Sequence, residues 1–105
     1  MSNLTVVSTE NFKSEVLDAS AHRPVLVDFY ADWCGPCRML APVLESVSAE
    51  RQDVTIVKVD VDQSSQIASA YKIQSIPTMI LFVNGREVSR GQGTRRTHVE
   101  SLLNG

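Results

Sequence analysis

The 105-residue chain carries ten Lys and Arg against twelve Asp and Glu, a formal charge of −2, and 43% of its residues are hydrophobic. This length suits one domain, residues 1–105, around a single core. With no basic block beyond Arg95 and Arg96, nucleic acid is not an expected partner. No apolar run approaches the roughly 18 residues that a bilayer crossing takes, so a membrane role is not expected either.

The start, MSNLTVVSTENF, lacks the basic residues, apolar stretch and small-residue site of a secretory signal, and the chain reads as cytosolic. Leu4 to Val7 forms a short strand candidate. In STENFKSEVLDAS the apolar residues Phe12, Val16 and Ala19 have helical spacing, with Ser8 or Thr9 as the cap. Pro24 to Ala31, PVLVDFYA, is nearly continuous in apolar residues, as in a strand covered on both faces. The next helix begins at two cysteines, and Met39, Leu40, Val43, Leu44 and Val47 mark its apolar face to about Glu50. Val54 to Val61 is a second buried strand. A crossover of that length implies a parallel, right-handed strand–helix–strand unit.

DQSSQIASAYK predicts a short helix capped near Asp62. The runs PTMILFV and REVSRGQ flank Asn84-Gly85, the strongest short hairpin signal, so the last two strands are antiparallel. Val99, Leu102 and Leu103 give a C-terminal helix its stripe, with Thr97 to Glu100 as a capping pattern. The expected fold is α/β, one mixed sheet with helices on both faces. The cysteines then stand where a central strand hands over to a helix, the end at which open α/β sheets build their sites.

Cys34 and Cys37 are the only cysteines of the chain. As a staple they would close just four residues, worth roughly 2 kcal/mol, and a reducing cytosol disfavours a permanent bond. As a metal site they supply two ligands where structural zinc takes four, and His22 and His98 lack companion spacing. As a redox pair they have suitable geometry, since residues i and i+3 of a helix lie within disulfide reach. With Cys34 at the N-cap, free N–H groups and the helix dipole favour its thiolate, making Cys34 the nucleophile and the more shielded Cys37 the second to act. Pro36 has no N–H to offer that sulfur, leaving Cys37 N–H as the main backbone donor. Gly35 lets the chain turn tightly and leaves room for another chain.

WCGPC after VDFYAD, IPT about forty residues on, and NGREV with GQG beyond it together resemble a bacterial-type thioredoxin over essentially the whole chain. The resemblance implies a thioredoxin fold, a central mixed five-stranded sheet flanked by four helices. It implies an electron-carrying thiol–disulfide oxidoreductase that reduces protein disulfides and is recharged by an NADPH-dependent flavoenzyme, thioredoxin reductase. No cofactor is bound, the redox group being the Cys34–Cys37 pair itself. Substrates of the ribonucleotide reductase, peroxiredoxin and methionine sulfoxide reductase types, and a monomeric state, also follow from it. The competing reading is a non-catalytic docking subunit built on the same fold.

Buried in VLVDFY, Asp28 is expected to have a raised pKa, and the resemblance makes it the group that helps deprotonate Cys37. Lys58, equally odd in TIVKVDV, is given Asp28 as its partner. The resemblance makes Ile76-Pro77 a cis bond that turns the Ile76 backbone outward to pair with an extended substrate, with the proline filling the space a metal would need beside the sulfurs. By the same resemblance Trp33, Gly35, Pro36, Ile76, Pro77 and Gly93 are expected to form an apolar docking surface. Arg38 reads as a solvated side chain, and Pro42 as a structural interruption of the helix. Three features depart from the pattern. Tyr30 replaces a frequent tryptophan, Gln92 makes the surface beside Gly93 more polar, and the last helix is shortened, stopping at Asn104-Gly105.

Overall fold

Five strands form one sheet in the computed structural model, which describes residues 4–104. Gly105, taken above as the end of the last helix, lies outside them. The strands are β1 (Thr5–Val6), β2 (Val25–Tyr30), β3 (Thr55–Asp60), β4 (Thr78–Val83) and β5 (Arg86–Gly91), in the order β1-β3-β2-β4-β5. β1, β3 and β2 run parallel, while β4 is antiparallel to both β2 and β5. A helical segment over residues 9–21 and the helices α1 (Gly35–Glu50), α2 (Ser65–Ala70) and α3 (Arg96–Asn104) complete the expected architecture. Among the described residues no helix is long and apolar enough to cross a membrane.

Side chains alternate between the faces of a strand, and β2 uses both. Val25, Val27 and Phe29 pack with Val57, Val59, Ile80 and Phe82 under Phe12 and Val16. On the opposite face Leu26, Ile56, Met79 and Leu81 meet Leu40, Leu44 and Val47 of α1 and Val99 of α3. By the same alternation Asp28 and Tyr30 of β2, and Lys58 and Asp60 of β3, point to the α1 side. Register sets Asp28 beside Lys58 and Tyr30 beside Asp60.

The first helical segment differs from the regular helix expected. It runs as a 3-10 turn (Thr9–Asn11), a π-helix (Lys13–Asp18) and a second 3-10 turn (Ala19–Ala21). Its buried residues are Phe12, Val16 and Ser20, while Ala19 is half-buried. A repeat of four residues exceeds the 3.6 of an α-helix, so keeping these three on one face requires underwinding. Ser20 earns its buried place through the hairpin: its carbonyl accepts from Asn84 N–H (2.9 Å) and its hydroxyl from Gly85 N–H (2.7 Å).

Asn84 and Gly85 both have positive φ, 53° and 78°, which is the turn that fits the twist of a hairpin. Val88 is the extra residue of a bulge, since Leu81 pairs with Ser89 and Phe82 with Glu87. Three local expectations move. Met39 is 65% exposed rather than core, because 37, 40, 44 and 47 are the inward positions of α1. The turn before α2 is held by Asp60, whose Oδ1 accepts from the N–H groups of Asp62 (2.8 Å) and Gln63 (3.3 Å), and Asp62 itself does not cap. α3 begins at Arg96, with Thr97 already inside it, because His98 Nδ1 reaches back to accept Arg95 N–H (3.2 Å) as the distal residue of a capping box does.

Candidate functional site

The sequence turns from β2 through Ala31, Asp32 and Trp33 into Cys34, the N-cap of α1 with extended backbone (φ −88°, ψ 111°). Cys37 N–H donates to Cys34 Sγ at 3.2 Å, and Pro36 occupies the second helical position without an N–H. The two cysteines are joined as a disulfide with Cα atoms 5.2 Å apart, and each is 4% exposed. They pack with Ala31 against Tyr30, Val61 and Ile76.

Ile76 is brought to the pair, its carbonyl oxygen lying 3.8 Å from Cys34 Sγ, and the following bond to the buried Pro77 is cis. The loop before Ile76 is tied to the loop before Gly93 by a hydrogen bond from Gln92 Nε2 to Ser75 Oγ. Gln92, noted above only as a polar substitution, thus joins the two segments that carry Ile76 and Gly93. Gly93 has φ +122°, and a Cβ there would lie 2.3 Å from His98 Nδ1. His98 is therefore no ordinary surface histidine: its ring caps α3 and fills the space behind Gly93. Only the position that caps α3, Arg95, three residues before His98, could have signalled this from sequence.

Trp33 is 69% exposed, and its Nε1–H donates to Asp62 Oδ2 at 2.9 Å, so the indole is both presented and fixed. A side chain built on Gly35 would meet nothing within 4 Å, and Pro36 is exposed. These two leave open surface over the sulfurs. Arg38 is exposed and donates to the Asp32 carbonyl oxygen at 2.7 Å, so it braces the loop below the cysteines.

Asp28 is 0% exposed, and among the described residues neither carboxyl oxygen receives a hydrogen bond. Burial pushes its pKa up to about 7, while the positive charge of Lys58 acts in the opposite direction. The direct Asp28–Lys58 pair expected from the sequence does not form. Instead the Lys58 ammonium stands over the Tyr30 ring, 4.1 Å from its centroid. A buried cation finds part of its lost solvation on an aromatic face, and Tyr30 supplies one at the end of the neighbouring strand. Burial raises the Tyr30 hydroxyl pKa, and Asp60, Asp32 and Asp28 add to the effect. Tyr30, Lys58, Asp32, Cys37, Arg38 and Glu45 are among the residues lining an open cavity of about 610 Å³ on the α1 side.

Comparison with known proteins agrees with this geometry. Residues 3–104 match the thioredoxin family. The thioredoxin of Chlamydia trachomatis is 53% identical over 90 residues, 86% of this chain and 84% of that protein. A bifunctional thioredoxin reductase/thioredoxin of Mycobacterium leprae is 48% identical over 90 residues, 85% of this chain and 19% of that longer protein. The X-ray structure of Fasciola hepatica thioredoxin superimposes with a TM-score of 0.89 at 34% identity, covering 96% of this chain and 97% of the other. The chain belongs to the thioredoxin family and is a thiol–disulfide oxidoreductase whose redox group is the Cys34–Cys37 disulfide.

Proposed function

We propose that the chain, reduced at Cys34 and Cys37 by an NADPH-dependent thioredoxin reductase, reduces disulfides of partner proteins in two steps. Cys34 thiolate attacks one sulfur of the substrate disulfide, the other sulfur leaves as a thiolate, and a mixed disulfide joins Cys34 to the substrate. Cys37 gives its proton to Asp28 and attacks the Cys34 sulfur. The remaining substrate sulfur departs as a thiolate that takes a proton from solvent, and Cys34–Cys37 is the oxidised product.

The observation that carries this reading is the Cys37 N–H donated to Cys34 Sγ at an N-cap. Charge-assisted hydrogen bonding and the helix dipole favour the thiolate at that sulfur over the one inside the helix. Ile76 C=O beside Cys34 supports strand-like docking of an extended substrate over Trp33, Gly35, Pro36, Ile76, Pro77 and Gly93. The fused reductase of the Mycobacterium leprae relative supports the choice of electron donor.

Insulin reduction driven by dithiothreitol tests the activity: parent protein accelerates precipitation and Cys34→Ser does not. Cys37→Ser should hold substrate proteins on Cys34 in a bond that excess dithiothreitol releases. No acceleration by the parent would favour a docking subunit without redox activity.

A further inference from the structure

We propose that Tyr30 is a positioning residue for proton transfer: its ring takes the Lys58 ammonium and holds it off the buried Asp28 carboxyl. This rests on the proton-transfer role proposed for Asp28.

Asp28 and Lys58 are register partners on adjacent parallel strands and point to the same face, with the strands only about 5 Å apart. A lysine and a carboxyl so placed in a buried setting would be expected to pair. They do not. Among the described residues neither Asp28 oxygen has a donor, and the Lys58 ammonium is 4.1 Å from the Tyr30 ring centroid. Tyr30 is two residues beyond Asp28, on the same face of β2, and beside Asp60 in register. Asp60, 8% exposed, adds negative potential near the ring, as does Asp32.

The groups facing this region are Lys58 and Asp60 from β3, Asp32 from the following loop, and Cys37, Arg38 and Glu45 from α1. β4 offers only Met79 opposite Asp28. Among the cations here, Arg38 is engaged by the Asp32 carbonyl, leaving Lys58 as the one whose placement decides how Asp28 titrates. Paired with Lys58, Asp28 would be fixed as a weakly basic carboxylate. Held apart, it keeps an affinity for protons matched to neutral pH, where a general base works best.

The test reads the Asp28 carboxyl directly, by 13C NMR titration of the oxidised protein, in which neither cysteine titrates. Tyr30→Ile, a change a strand end tolerates, should lower the Asp28 midpoint by about one pH unit as Lys58 turns to the carboxyl. The same substitution in a Lys58→Met background should not move it. Tyr30→Trp, whose ring binds a cation at least as well, should leave the midpoint where it is. In the parent, the Lys58 ε-methylene protons should be shifted upfield by the ring current, a readout that needs no variant. A normal lysine shift there overturns the proposal, as does a Tyr30→Ile midpoint that stays put. An equal fall in the Lys58→Met background also overturns it, because the ring would then only be excluding water. None of these readouts involves turnover. If Asp28→Asn leaves mixed-disulfide resolution unchanged while the midpoints move as expected, the Asp28 role fails and the Tyr30 arrangement stands.

Discussion

Replacing Asp28 by Asn removes an ionisable group that is 0% exposed and whose pKa rises from 3.8 to about 7 on folding. Because the folded-state value is the higher one, the native protein binds the proton more tightly than the unfolded chain. The contribution of this group to stability is full below pH 3.8 and is lost as the pH rises through about 7. The interval spans roughly three pH units, and at about 1.4 kcal/mol per unit the loss comes to about 4 kcal/mol. Asn keeps the shape without the ionisation.

The stability of Asp28→Asn relative to the parent should therefore grow by about 1.4 kcal/mol per pH unit from pH 4 to 7, then level off. Guanidinium unfolding of the oxidised proteins at pH 4, 5.5, 7 and 8.5 measures this, and titrations common to both cancel in the difference. The burial of an amide in place of the carboxyl shifts the whole curve without tilting it. A difference independent of pH, or one that shrinks as the pH rises, would refute the claim that desolvation dominates at Asp28. The same substitution should slow resolution of the mixed disulfide more than its formation, as rapid mixing can separate.

Gly93→Ala should cost about 1–3 kcal/mol in denaturant and raise KM for a protein disulfide, because φ +122° is strained for alanine and its Cβ would sit 2.3 Å from His98 Nδ1. Pro36→Ala restores an N–H at the second position of α1, within the range an N-cap acceptor uses. The reduced form gains, so glutathione equilibration should give a less negative potential, about 30 mV for each 1.4 kcal/mol, with a lower Cys34 pKa by thiolate absorbance. Ser20→Ala leaves Gly85 N–H without its 2.7 Å acceptor and should cost about 1–3 kcal/mol, with insulin reduction unchanged. Limited iodoacetamide labelling of the reduced protein at neutral pH should modify Cys34 well before Cys37.

What could be read from the sequence was whatever a few neighbouring residues decide. The N-cap at Cys34, the missing N–H of Pro36 and the Asn84-Gly85 turn are set within four residues, and all three stand as expected. Asp28 was legible as an acid among apolar neighbours. The place of the Lys58 ammonium was not, since it depends on which side chain ends the strand beside it, and Tyr30 was noticed only as a departure from the pattern. His98 required the first residue of α3 to be known, and a shift of one position conceals its contact with Gly93. Ser20 was hidden because a four-residue repeat in an underwound helix looks, from sequence, like an ordinary helix with Ala19 inward.

Polarity in the sheet is distributed by face and by end, and this decides which substitutions separate stability from chemistry. On the side away from α1, β2 and β3 present Val25, Val27, Phe29, Val57 and Val59, with Thr55 at the start of β3 as the one polar residue of that face. On the α1 side each strand starts apolar, with Leu26 and Ile56, and turns polar toward its C-terminal end, with Asp28 and Tyr30 beside Lys58 and Asp60. The change occurs where the first turn of α1 brings Cys37 over the sheet, so buried charge is confined to the place where the reaction can use it. Substitutions on the far face, Ser20→Ala among them, should act on stability alone. At Asp28 the energy lost on ionisation and the capacity to take a proton near neutral pH have one physical origin, desolvation, and no single substitution there should remove the first without the second.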